Sequence, residues 1–310
     1  MKLVLIGKFN EVYHEEGKAR GFQELGCEVY RFEERTFDAS DREIIANKIK
    51  PDAIIYTKLS FKDPLGTILY FKKYNIKLIS WYPDYCNVGE WENSAFNIKN
   101  IKKCPMSKSD LVLIPDSTNK DRWASLGINQ QLMRQAISKE FCYVSPPKEE
   151  WESDIIFIGS LVNNSLYNYR YKLVDFLNKN YGSKFLHLGS NNPYQIRNSE
   201  LNTLISSTKI VICDSVFAKG YWSNRIYESM GRGGFCLHSY TEGLENDFII
   251  GEHLDTYKHD NYIDLKQKID YYLNNSKLRK KIAKKGFTFI KENHTITHRC
   301  LEVINKIKNL

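Results

Sequence analysis

The sequence predicts an α/β protein built from two Rossmann-like parallel-sheet domains facing each other across a cleft. Three observations carry that expectation: strand and helix patterns alternate almost throughout, one proline-containing stretch interrupts them near the middle, and the chain has 310 residues. A single hydrophobic core stops growing at roughly 250–300 residues, so this length favours two. Short apolar strands alternating with amphipathic helices imply parallel sheets with helices on both faces.

The first half opens on an apolar run at 3–7, too short for a signal peptide or a membrane span and read as a buried strand. An amphipathic helix at 15–25 leads through Gly26 and Cys27 into a second strand ending near Tyr30. A helix at 41–50, a strand at 53–56, a helix at 64–74 with Pro64 in its first turn, and a strand at 77–81 follow. A strand at 111–115 precedes a helix capped by Ser117 or Thr118. The segment 144–150 is charged, contains Pro146 and Pro147 and lacks periodicity, which marks a linker. Beyond it, strands are expected at 154–159, 185–188, 209–213 and 234–238. Helices are expected at 169–179, near 200–206, from about Ser223, and over most of 260–308. The expected domains are 1–145 and 153–293, joined by 146–152.

The seven cysteines are scattered, odd in number and without a Cys-x-x-Cys pair. That pattern argues against a disulfide framework or a zinc site and points to a reducing cytoplasm. The net charge is +8, and residues 266–310 hold twelve Lys and Arg against three Asp and Glu. Such a region is either a solvated helix face or a patch for an anionic membrane surface or DNA.

Gly7 directly follows the first strand, but Gly17 and Gly21 come too late for a tight dinucleotide fingerprint, and no acidic residue is expected to close strand two in the required place. No Gly-x-x-x-x-Gly-Lys-Ser/Thr phosphate loop occurs. Gly159 and Ser160 end an apolar strand, and Arg170 opens the next helix. A small residue there lets a ligand approach the backbone, and an arginine can grip phosphate oxygens in pairs; the alternative for Arg170 is an exposed helix arginine. The richest segment is 219–234, in which a loop with Lys219 and Gly220 enters a helix capped by Ser223 or Asn224. Free N–H groups at a helix start attract phosphate. Glu228 lies four residues after Asn224, on the same face, where its carboxylate can accept both hydroxyls of a ribose. The plainer alternative is a capped helix with an exposed glutamate.

Asn224-Arg225-Ile226-Tyr227-Glu228-Ser229-Met230-Gly231 resembles the motif of group-1 GT-B glycosyltransferases, particularly the branch named for spore-maturation proteins. The likeness continues through Gly233–Leu237, Glu242-Gly243-Leu244, Glu292–Thr295 and Arg299, reaches back to 156–160, and is looser over 1–150, where Trp81-Tyr82-Pro83-Asp84 resembles the end of the family's fourth strand. The resemblance implies GT-B architecture, a nucleotide-diphosphate sugar as donor, no metal, no resident cofactor, and a final helix at 294–310 packing back toward the first domain. Carried over by position, Glu228 binds the ribose, and Ser223, Asn224, Gly159 and Ser160 contact the diphosphate. Many relatives carry a glutamate eight residues before the ribose glutamate; Gly220 occupies that position here.

No Asp-x-Asp pair is present to hold a divalent ion, so the departing diphosphate must be met by helix N–H groups and cations, for which Lys219, Arg225 and Arg170 are eligible. If the configuration inverts, the base comes from His14, Glu15, Glu16 or Asp84, near expected strand ends; His14 reads equally as a surface histidine. The expected activity is sugar transfer from a nucleotide-diphosphate sugar, UDP- or GDP-linked, to a glycan, protein or lipid-linked acceptor. It is placed in the cytoplasm or at the inner membrane face. The alternatives are a DNA-modifying glycosyltransferase, suggested by the basic 266–310 region, and a nucleotide-sugar 2-epimerase.

Overall fold

The computed structural model of the chain describes residues 1–9, 14–57, 59, 61–85, 104–118, 120–161, 168–189 and 196–310. They form two compact units, Met1–Ser138 together with Ile296–Leu310, and Lys139–Thr295.

The first unit is built on a six-stranded sheet of β1 (Lys2–Gly7), β2 (Glu28–Glu33), β3 (Ala53–Tyr56), β4 (Lys77–Trp81), β5 (Leu111–Ile114) and β6 (Gln130–Leu132). The order is β2-β1-β3-β4-β5-β6 and every pair is parallel. The central strands are continuous apolar runs because both of their faces are covered. Leu3, Leu5, Ile55, Ile79 and Leu113 point to one core, shared with Phe22 and with Cys300 and Val303 of the C-terminal helix. Val4, Ile6, Ile54 and Leu78 point to the other, with Ile45, Ile68 and Phe71. The helices are α1 (His14–Glu24), α2 (Ala39–Glu43), α3 (Pro64–Lys72) and α4 (Lys120–Ser125). A reciprocal box of Asp38 and Asp41 opens α2, and a π-helical turn at Ile44–Ile49 extends it to Lys50, whose φ is 52°. The C-terminal helix Ile296–Lys308 packs on α1 across Gly21, where an added Cβ would sit 2.9 Å from Cys300 Sγ and 3.3 Å from Thr297 Cα.

The second unit holds β7 (Ser153–Ile158), β8 (Phe185–Leu188), β9 (Thr208–Cys213), β10 (Cys236–Ser239) and β11 (Asp255–Tyr257), ordered β11-β10-β9-β7-β8 and again all parallel. Its helices are α5 (Tyr169–Tyr181), α6 (Asn198–Ser206), α7 (Arg225–Gly231), α8 (Tyr262–Asn274) and α9 (Ser276–Asn293), which makes the C-terminal helix α10. The segment 144–150 lies within this unit: Lys148 N donates to Ser207 Oγ at 2.8 Å, and Glu149–Trp151 forms a 3-10 turn.

Both sheets are wound alike. The chain lays its second strand on one side of the first and its third on the other, so the winding reverses between β1 and β3 and between β7 and β9. In open α/β sheets, ligands bind at the carboxyl ends of the strands flanking such a reversal. Three expectations need correction. Pairing of β1 with β2 runs through Gly7 and Glu33, so the second strand is longer than read and Glu33 does close it, with Glu34 next. The edge strands β6 and β11, Gln-Gln-Leu and Asp-Thr-Tyr, lack an apolar run and were not expected. The third concerns the start of α7 and is taken up below. Among the described residues no helix is long and apolar enough to cross a membrane.

Candidate functional site

At the second sheet's switch point, β7 runs out into Gly159 and Ser160, and β9 into Asp214 and Ser215. Gly159 N donates to Leu188 O at 2.8 Å. A Cβ on Gly159 would stand 2.8 Å from the Phe157 ring and 3.5 Å from Arg225 Nη2. The glycine therefore makes room for the Phe157 ring and leaves the strand end bare beside the guanidinium.

Asp214 is fully buried and organises the site. Arg170 donates to it through Nε at 2.5 Å and Nη2 at 3.0 Å, and Tyr169 OH donates at 2.6 Å. Arg225 Nη1 lies 3.4 Å away. Burial alone would push the Asp214 carboxyl up, but the Arg225 and Arg170 charges and the hydrogen bonds from Arg170 and Tyr169 outweigh it and hold it below the ordinary carboxylate range. Arg170 is thus neither an exposed helix arginine nor open to phosphate. It is buried, and its remaining Nη1 donates to Ser160 O at 3.1 Å.

A second layer of hydrogen bonds fixes the loop into α7. Ser223 N donates to Ser215 Oγ at 2.7 Å, Ser223 Oγ donates to Asp214 O at 2.7 Å, and Ser215 Oγ lies 2.9 Å from His238 Nε2. Burial lowers the His238 pKa from 6.5 to about 4, so it is neutral at pH 7. A histidine with a depressed folded pKa gives stability that is complete above its unfolded value and lost as pH falls toward the folded one. Unfolding by denaturant across pH 7 to 4 is expected to reveal a loss of about 3 kcal/mol from this group. His238→Gln should flatten that limb.

The expected cap at the start of α7 is not made. Ser223 turns its hydroxyl back to Asp214, and Asn224, at the cap position, makes no side-chain cap bond. The helix has seven residues. Ile226, Tyr227, Ser229, Met230 and Gly231 are buried, with Trp222 Nε1 donating to Tyr227 OH at 3.0 Å beneath them. Asn224, Arg225 and Glu228 form the half-exposed face. Arg225 Nε donates to Ile158 O at 2.8 Å, which aims the guanidinium across the β7 end. Glu228 Oε1 accepts from Asn224 Nδ2 at 3.1 Å, and Oε2 accepts from Arg232 Nη2 at 2.7 Å. Arg232 is itself buried and donates to Asn198 O and Asn202 Oδ1.

The structure therefore brings Gly159, Ser160, Arg170, Ser223, Asn224, Arg225 and Glu228 to one sheet end. Lys219 is elsewhere engaged: it is exposed and pairs with Glu242 at 2.5 Å. In the first unit, Asp84 is exposed just past β4, and His14 opens α1 with its side chain outside the described residues. Glu16 binds Arg20 and Arg31, each at 3.0 Å. The lysines 277, 280, 281, 284 and 285 of α9 face solvent. Sequence reading missed Asp214 and Arg232. An acid closing an apolar run, and a Glu-x-x-x-Arg spacing on a helix, were the signals available.

Residues 170–305 match the family model described as glycosyl transferase-like. No curated protein matches the chain in sequence. Among solved structures, HepE of Anabaena in complex with UDP and glucose superposes with a TM-score of 0.68 at 10% identity, over 100% of both chains. Sucrose-phosphate synthase of Thermosynechococcus elongatus gives 0.66 at 12% identity, over 100% of this chain and 98% of that one. The chain has the GT-B fold. A glycosyltransferase of Rickettsia africae shares it, with a TM-score of 0.64 at 14% identity, over 99% and 98% of the two chains. At these identities the likeness is one of fold. The glycosyl transferase-like match covers α5 through most of α10, and so includes α7, Asp214 and Arg232.

Proposed function

We propose that this GT-B protein transfers a sugar from a nucleotide-diphosphate sugar to a hydroxyl of a glycan, protein or lipid-linked acceptor. The observation that carries the reading is α7, buried on every side except the face of Asn224, Arg225 and Glu228 at the β7–β9 switch point. A carboxylate, a guanidinium and a glycine-ended strand on one face suit two parts of a nucleoside diphosphate, its ribose and its diphosphate. Glu228 accepts from the ribose hydroxyls, Arg225 neutralises the diphosphate, and Gly159 lets it approach the backbone. The glycosyl transferase-like match and the UDP bound to HepE favour a UDP-sugar.

Glycosyl transfer passes through an oxocarbenium-like state as the diphosphate leaves. Charge develops on that leaving group, so a cation already held in place stabilises the transition state more than the ground state. Arg225 is held in that way by Ile158 O and Asp214. This supports transfer without a divalent ion. Arg170 and Asp214 position Arg225 and Ser223 without touching the donor.

The test is a turnover assay with UDP- and GDP-sugars, run with and without a mixed set of glycan acceptors and with and without EDTA. Nucleotide release is expected to depend on acceptor and to be unchanged by EDTA. Interconversion of the donor sugar without acceptor would instead mark a 2-epimerase.

A further inference from the structure

We infer that a cavity in the first unit, at the β1–β3 switch point, binds a small hydroxylated anion independently of the nucleotide-sugar site. The cavity has a volume of about 230 Å³. Lys8, directly after β1, and Thr57, directly after β3, both line it. It therefore occupies the place in this sheet where a parallel α/β fold takes a ligand, and it is smaller than the roughly 300–1,000 Å³ of drug-sized sites.

The lining defines the ligand's chemistry. Lys8, Lys18, Arg134 and Arg299 line it with Glu15 and Glu34, and counting Glu302, which pairs with Arg299 at 2.6 Å, one positive charge remains in excess. Lys18 is 4% exposed. Its Nζ donates to Thr57 Oγ1 at 3.0 Å, lies 3.8 Å from Glu15 Oε1 and stands 4.5 Å above the Trp81 ring. Burial lowers the Lys18 pKa more than Glu15 restores it, so Glu15 compensates the ammonium only in part. An anion supplies the missing counter-charge.

Glu34 supplies the second requirement. It is 2% exposed, and its Oε1 accepts no hydrogen bond, although Lys8 Nζ is ion-paired with it at 3.3 Å. Buried carboxylate oxygens are rarely left in that state. A bare anion would meet repulsion at Glu34, whereas a hydroxyl donates to it. A neutral polyol would satisfy Glu34 but add no counter-charge for Lys18. The ligand that answers both carries a negative group and at least one hydroxyl. The extension of β2 to Glu33 is what brings Glu34 to the cavity, and the glycine spacing after β1 still does not form a dinucleotide fingerprint.

The experiment is calorimetric titration of the full chain, with no nucleotide sugar present, using glycerol 3-phosphate, inorganic phosphate and glycerol as probes. Glycerol 3-phosphate is expected to bind at least ~10-fold more tightly than either of the others, a difference of about one charge-assisted hydrogen bond. Lys18→Met should weaken it by ~10-fold or more, and Lys8→Gln, at a half-exposed position, provides the same test where Lys18→Met folds poorly. Glu34→Leu should erase the preference for glycerol 3-phosphate over phosphate, and Arg225→Ala in the other unit should leave binding unchanged. Absence of heat with glycerol 3-phosphate, equal affinity for phosphate, or indifference to both lysine variants would overturn the inference. Because no donor is present, these outcomes do not depend on the transferase reading.

Discussion

Asp214→Ala is expected to destabilise the second unit by about 3–5 kcal/mol, the cost of leaving a buried charge without its partner. Arg170 is 2% exposed and directs both its Nε and its Nη2 at this carboxylate, so the alanine strands a guanidinium in the interior. Tyr169 OH and Arg225 lose a partner in the same substitution. Asp214→Asn keeps the volume and part of the hydrogen bonding and should cost less. The folded carboxyl is held low, so its contribution is complete above the ordinary carboxylate value of roughly 3.9 and disappears as pH falls through the lowered one. Denaturant unfolding at pH 7 and in acid measures both effects. A loss under about 1 kcal/mol for the alanine variant would mean that the pair is not buried as described.

Arg225→Ala should leave the fold standing and lower kcat by about 10²–10³-fold, the range seen when one donor to a developing negative charge is removed. The side chain is 30% exposed, so its loss opens no internal cavity, and the bonds it gives up, to Ile158 O and Ser223 Oγ, are worth about 1 kcal/mol each. Asp214 retains Arg170. Arg225→Lys keeps the charge but not the fork that reaches Ile158 O and a phosphate together, so it should recover only part of the rate. Saturating-donor kinetics alongside circular dichroism separate this from misfolding, and an unchanged kcat would remove Arg225 from the reaction.

Much of the fold was legible because it is written locally. Strands β3, β4 and β8 coincide with their expected bounds, and β1, β5, β7 and β9 fall within a residue, since strands covered on both faces read as unbroken apolar runs. The edge strands β6 and β11 carry no such run and take their shape from pairing with β5 and β10. The site divides in the same way. The shared face of Asn224 and Glu228 follows from helical spacing, and the structure joins the two by a hydrogen bond. The partner of Arg170 did not follow, because Asp214 is 44 residues away and meets it only once β9 lies beside β7. Ser223 illustrates the limit of a local rule: its residue type favours a cap, but the nearby Asp214 carbonyl captures the hydroxyl.

The central claim is that the half-exposed face of α7 receives the nucleoside diphosphate of a sugar donor, with Glu228 on the ribose. Calorimetric titration of UDP, and of GDP and ADP for comparison, into the wild-type chain and Glu228→Gln tests it most directly. Glutamine preserves a partner for buried Arg232 while removing the charge, so the variant should fold. The account predicts that one of these nucleotides binds the wild type and that Glu228→Gln weakens it by about 10–100-fold, as expected when hydrogen bonds to a charged acceptor are replaced by neutral ones. An unchanged Kd in the folded variant would contradict it.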